Sequence, residues 1–326
     1  MELVINSSIN NQVIDESEVI NKTSSFIEAN TQKVSLNHLK NDCIIPVFSE
    51  DNESTISHYQ FINKACEVVQ ELFPDFTPKE PDIRVSHIVK GRVPSAIGKP
   101  AKDLSEEEKT LYYERCAFLI EIHQAKEIIN GNPLTLSVGG VRSYSQENLY
   151  SKKSVEKFKI FIGYQNKVCT NLCVSTDGFT NEVRITSVNE LHAEMYNLLS
   201  NYDRIKHLSM MEKMNQFHLN ENQFAHLIGK IRMYQHLDKD EQKSKGRFLL
   251  NDGQMNSMLK DYYSCPNFSR DENKNISLWN LYNIFTEANK SSYIDSNLER
   301  NVNVYEFINT TANSLQNNQP NWFLQL

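Results

Sequence analysis

Between residues 134 and 187 the apolar side chains recur at every second position, and beyond 187 they recur every third or fourth to the end of the chain. LTLSVGGVRSY (134–144), KFKIFIGY (157–164), KVCTNLCVS (167–175) and NEVRITS (181–187) carry the two-residue period of strands. Asn166-Lys167 and Asp177-Gly178 supply turns between them, and Gly139-Gly140 reads as a bend or bulge. After this switch of period the pattern is helical. Ser187-Val-Asn-Glu190 reads as a capping box that opens a helix through Leu191, Met195, Leu198 and Leu199. Phe224, Leu227, Ile228 and Ile231 form another stripe, Asp252 starts a helix running to Tyr262 or Tyr263, and Ser277 starts one containing Trp279 to Phe285.

The first part of the chain is less regular. Residues 1–42 are polar and acidic and read as a mobile leader, and CIIPVF (43–48) reads as the extended segment that begins the ordered part. Phe61, Ala65, Val68, Val69 and Leu72 predict a helix that stops before FPDFTPKEP, and IRVSHIV (83–89) alternates like a strand. Ser105-Glu-Glu-Glu108 and Gly131 bracket a stripe of Leu111, Phe118, Leu119, Ile122, Ala125, Ile128 and Ile129, which predicts a second long helix. The expected fold is α+β: a small, mostly antiparallel sheet with long helices in 43–186, followed by a helical C-terminal half, 187–326, packed on it.

Charge is unevenly spread. Nine acids against three bases in residues 1–56 account for nearly all of the net charge of −7, so the remainder is close to neutral and compatible with an anionic partner. There is no apolar run long enough to span a membrane, and MELVINSSINNQVIDESEV has neither the basic nor the apolar region of a secretory signal. With six scattered cysteines, this places the protein in a reducing cytoplasm.

Enzyme signatures are absent: no nucleophile elbow, no Walker loop and no G-x-G-x-x-G occur. Cys169 and Cys173 could supply half of a zinc site, but no second Cys or His pair completes it, and two buried thiols on one strand face explain the spacing. Glu190-Leu-His-Ala-Glu194 has the wrong order for a metal helix. No catalytic, metal or cofactor residue is therefore assigned. Basic blocks are more informative. Residues 141–170 and 204–247 each carry a net charge of +4. In the first, Arg142, Lys157, Lys159 and Lys167 are placed to neutralise phosphates and Tyr164 to stack a base, the combination that suits single-stranded DNA or RNA. The competing readings are a module that grips a host or element-encoded protein, through the leader or the 277–295 corner, and a metal-dependent nuclease whose ligands converge only in space. The corner itself, SLWNLYNIFTEANKSSYID, reads first as a structural turn: aromatics wrap the helix and Asn283, Thr286, Asn289 and Lys290 arrive where it must end.

CTNLCVSTDG (169–178), FAHLIGKIRMYQHL (224–237), NDGQMNSMLKDYY (251–263), the 277–295 phrase and NWFL (321–324) resemble a bacterial family known only as a domain of unknown function and found largely on mobile elements. The resemblance runs from about Cys43 to the C-terminus, and the Val-Cys-Thr-Asn phrase is also similar to one in phage- and plasmid-like proteins. It implies no activity. It singles out Cys169, Asn171, Cys173, Trp279, Asn283, Asn289 and Lys290 as motif residues without a role, and its setting implies nucleic-acid work or interference with host defence.

Overall fold

The computed structural model describes residues 25–43, 55–75, 78–146 and 155–324. Most of the segment read as a leader, and CIIPVF beyond its first residue, lie outside them. Residues 25–42 are part of the fold: Phe26 and Ile27 are buried, and a short strand β1 (Gln32–Val34) and helix α1 (Leu36–Asn41) follow.

The expected small sheet with two long helices is overturned. The strands that follow are β2 (Asp82–Val85), β3 (Ile88–Arg92), β4 (Lys109–Tyr113), β5 (Arg115–Ile129), β6 (Asn132–Ser143), β7 (Glu156–Asn166), β8 (Leu172–Cys173) and β9 (Phe179–Ile185). A seven-stranded antiparallel sheet runs in the order β1-β2-β5-β6-β7, and the outer edge of β7 is shared by β8 and β9. β3 and β4 form a separate two-stranded ribbon. Among the described residues of this half there is one long helix, α2 (His58–Leu72).

The segment expected to be the second long helix is β4 and β5, and its signals have other causes. The capping box is real, with the Glu108 carboxylate accepting from Ser105 N at 2.8 Å, but it closes a single 3₁₀ turn. Asn130 and Gly131 both have positive φ, 52° and 79°, and form the tight turn of the β5–β6 hairpin. Over residues 116–120 the apolar residues do not alternate because that part of β5 is buried on both faces. Phe118, Ile120 and Ile122 point into the main core with α2, whereas Ala117 and Leu119 point into a second cluster with Phe26 and Ile27.

The C-terminal half contains α3 (Val188–Asn201), α4 (Arg204–Met214), α5 (Glu221–Tyr234), α6 (Lys239–Lys245), α7 (Asp252–Ser264), α8 (Leu278–Asn289) and α9 (Ile294–Asn317), with a two-residue pair of strands β10 (His218–Leu219) and β11 (Ile276–Ser277). α2 and α3 cover the inner face of the sheet. The first part of α9 lays Ile294, Leu298 and Val302 on the outer face, against Val141, Phe161 and Val174.

Gly139 and Gly140 keep continuous register with β5 and β7, so they make no bulge. They make room for aromatic rings. A Cβ on Gly139 would lie 2.2 Å from the Phe118 carbonyl oxygen and 2.7 Å from the Phe161 ring, and one on Gly140 would lie 2.5 Å from Phe61. The carbonyl belongs to the sheet ladder and cannot rotate away. Gly139→Ala is therefore expected to cost about 3 kcal/mol, the upper end of the overpacking range, in urea unfolding; a loss below about 0.5 kcal/mol would show that the sheet yields there.

Candidate functional site

The residues expected to hold a nucleic-acid strand are split between the two sheet faces. Val141 pairs with Lys159, so Lys157 and Lys159 share the outer face with Ser143, Asn181 and Glu182 around a hollow of about 290 Å³. Lys157 is paired with Glu182 at 3.4 Å, and Lys159 donates to the Asp295 carbonyl at 2.5 Å. Burial lowers the Lys159 pKa, against the pull of Glu299, Asp295 and Glu182. Arg142 and Tyr164 face the core. Arg142 is buried, ion-paired with Glu156 at 2.6 Å and held between the rings of Tyr144 and Phe158. Tyr164 is fully buried, its hydroxyl accepts from Arg204 Nε at 2.8 Å, and burial pushes its pKa up to about 12. Lys167, at the far end of β7, pairs with Glu121 at 3.0 Å. Neither Arg142 nor Tyr164 offers a surface to a strand.

The motif residues do come together, in a buried polar junction between the β7–β8 turn and α8. Asn283 Oδ1 accepts from Asn166 Nδ2 at 2.9 Å, and Asn171 Nδ2 donates to the Asn283 carbonyl at 2.8 Å. The Cys169 thiol points to the side-chain oxygen Asn283 Oδ1 at 3.8 Å. Lys290, buried at the end of α8, donates to the Cys169 carbonyl, to Thr170 Oγ1 at 3.2 Å and to Glu287 at 2.8 Å. Thr170 has a φ of 60°, so this lysine holds a strained turn in place. The Asn289 and Asn297 side-chain amides each donate to the other's backbone carbonyl, and Trp279 Nε1 donates to Asn132 Oδ1 at 2.6 Å. Burial raises the pKa of both thiols, that of Cys173 to about 12, which removes their nucleophilicity. This junction joins sheet to helices. Among the described residues, no three His, Cys, Asp or Glu side chains gather as metal ligands would.

The larger concavity is elsewhere. A cleft of about 710 Å³ runs along the second part of α9, from Asn303 to Ser314, between the loop 244–247 and residues 320–323. Tyr305, Phe307, Trp322 and Phe323 give it aromatic surface, and Glu306, Asn309, Thr310 and Asn313 a polar floor. Lys245 and Arg247 stand on one rim, both exposed; Arg247 pairs with Glu299 at 2.8 Å. Two cations outside the lining touch residues within it: Lys230 lies 4.6 Å over the Trp322 ring, and Lys213 donates to Asn313 Oδ1 at 2.9 Å. All four cations belong to the basic block 204–247 visible in the sequence. Trp322 lies far from that block along the chain, and only the fold of α9 and the segment after it brings the two together.

Residues 7–324 match the family described as "Domain of unknown function, B. Theta Gene description (DUF3871)". The chain belongs to this family. The match takes in the junction and the cleft alike, and extends further toward the N-terminus than the resemblance seen from Cys43 onward. No curated protein and no solved structure matched the chain. All six cysteines are free thiols, and among the described residues no helix is long and apolar enough to cross a membrane.

Proposed function

We propose that this member of the family is a non-catalytic nucleic-acid-binding protein that holds a single strand in the cleft along α9, as a cytoplasmic component of a mobile element. The observation that carries the reading is that Trp322, with Lys230 over its ring, lines the same cleft as Lys245 and Arg247. Phosphates need cations and unstacked bases need flat partners, so a groove supplying both suits a single strand. A duplex keeps its bases stacked and offers no open ring face to Trp322. The free thiols support a reducing compartment, and the mobile-element setting rests on the phrases that the chain shares with such proteins.

Fluorescence anisotropy of labelled single- and double-stranded DNA and RNA, at low and at physiological salt, tests this. Single strands are expected to bind more tightly than duplex, with an affinity that falls as salt rises. The variant Lys245→Ala/Arg247→Ala is expected to bind every sequence more weakly and to flatten the log–log salt slope by about 1.4, two contacts at about 0.7 each for single strands. Lys157→Ala/Lys159→Ala is expected to leave affinity and slope unchanged. If no strand binds at low salt, the reading fails and a protein partner becomes the object of search.

A further inference from the structure

The amides along the cleft are committed to the fold. Asn303 accepts from Leu249 N and donates to the Arg247 carbonyl, both at 2.9 Å. Asn309 bonds to Tyr305, and Asn313 Oδ1 takes the Lys213 ammonium at 2.9 Å. Asn321 donates to Ser314 Oγ at 3.2 Å and accepts from Phe323 N at 2.9 Å. Glu306 and Thr310 differ. Both line the cleft and are exposed, and they stand one turn apart on the same face of α9. Glu306 Oε1 takes the Thr176 hydroxyl at 3.3 Å, and the other carboxylate oxygen has no protein donor among the described residues. Thr286 and Thr311 turn their hydroxyls back to the helix carbonyl four residues earlier, at 3.0 and 2.9 Å. Thr310 makes no such bond among the described residues, which leaves its hydroxyl to the cleft. An open carboxylate oxygen and an open hydroxyl thus stand side by side, with Lys245 and Arg247 on the rim.

We infer that the strand held in this cleft is RNA, and that Glu306 and Thr310 recognise a ribose 2′-hydroxyl. This rests on the single-strand reading above. Phosphate oxygens only accept, so they are drawn to the rim cations and kept off the Glu306 carboxylate. Bases stack on Trp322 whatever sugar carries them. Choice between RNA and DNA therefore falls to the floor. A 2′-hydroxyl both donates and accepts, so it can give its hydrogen to Glu306 and take one from Thr310. Deoxyribose puts a methylene in the same place, which strips water from the carboxylate and returns no bond.

The test is anisotropy with three labelled strands of equal length that carry the same base: oligo-rU, oligo-dU and oligo-U with 2′-fluoro-2′-deoxyribose, a sugar that keeps the ribose pucker and loses the donor. Oligo-rU is expected to bind about tenfold more tightly than the other two, the lower end for a hydrogen bond to a charged group. Glu306→Ala, a change at an exposed position to the best helix former, is expected to bind all three alike. Thr310→Val keeps the branched side chain, loses the hydroxyl, and is expected to narrow the gap without closing it. An unchanged gap in either variant removes that residue from the reading. Equal wild-type affinity for oligo-rU and oligo-dU, or a fluorinated strand as tight as oligo-rU, overturns ribose recognition while leaving single-strand binding standing. Binding to none of the three at low salt removes both. The fluorinated probe is read on the wild-type protein, so that result does not depend on a variant folding.

Discussion

Between pH 6.5 and pH 4.5 this protein is expected to lose about 5 kcal/mol of stability, most of it through two histidines that never reach water. His58 and His207 are 4% and 1% exposed, and burial pulls the pKa of each from 6.5 to about 3. For His58 the Arg142 cation adds to burial, only partly offset by the bond between its Nε2 and the Tyr113 carbonyl at 2.9 Å. His207 is enclosed by Tyr164, Tyr202 and Tyr305, bonded through Nδ1 to the Tyr202 hydroxyl at 2.6 Å, with Asp177 the one charge favouring its protonation. Both imidazoles are neutral in the fold, whereas in the unfolded chain they bind protons near pH 6.5. The unfolded state therefore holds more protons below that pH, so stability is fully present above pH 6.5 and is lost as pH falls toward about 3. Each group contributes a slope of about 1.4 kcal/mol per pH unit. Carboxylates held below their ordinary value of 4.5, such as Glu121 and Glu190, add their loss only at lower pH, so the two windows separate. Urea unfolding at a series of pH values measures the slope, and His58→Gln or His207→Gln should each remove about half of it. A flat profile between pH 6.5 and 4.5 would mean that both rings reach solvent.

How much of this was legible beforehand depended on whether the deciding information was local. α2, α3, α5 and α7 announce themselves because one face of each is polar, and β6 and β7 because their residue types alternate even though both faces are buried. β5 does not, because its first part, residues 116–120, is apolar and buried on both faces and so shows no alternation. Six apolar markers in β5, with Leu111 in β4, sit at helical spacing, and the Gly131 of the hairpin turn carries the same signal as a helix stop. The site failed for a related reason. Alternation along β7 correctly put Lys157 and Lys159 together, but only the register between strands, Val141 against Lys159, shows that Arg142 lies on the opposite face with Phe158. Several of the motif residues grouped by resemblance bond within one junction, Asn171 and Cys169 to Asn283 and Lys290 to the Cys169 carbonyl, which gives them a structural role. The cleft depends on a long helix carrying the chain from the junction at Lys290 back to the basic block, which no short window of sequence contains.

Arg142→Ala is expected to cost about 3–5 kcal/mol, the usual penalty for breaking a buried ion pair from one side. The guanidinium sits 4.5 Å from the Tyr144 ring centre and 4.4 Å from that of Phe158, with Glu156 at 2.6 Å. Its Nη1 also donates to the Ile56 carbonyl, while the Glu156 carboxylate accepts from Ile56 N at 3.0 and 3.2 Å. The pair thus grips both backbone groups of the residue that precedes Ser57, the N-cap of α2. Removing the arginine leaves a half-empty aromatic slot, a carboxylate deprived of its guanidinium and a loosened helix start. Arg142→Met refills the slot and should recover part of the loss, since packing and charge then separate. The charge also acts on His58, whose protonation it opposes. In Arg142→Met the acid loss between pH 6.5 and 4.5 should be shallower than in the wild type even though stability at neutral pH is lower. Chemical unfolding at pH 7.5 and pH 5 separates the two effects. A variant as stable as the wild type at neutral pH would remove the clamp, and an unchanged acid slope would remove the coupling. Nucleic-acid affinity measured on the folded fraction should stay the same throughout, because this arginine is committed to α2 and not to phosphate.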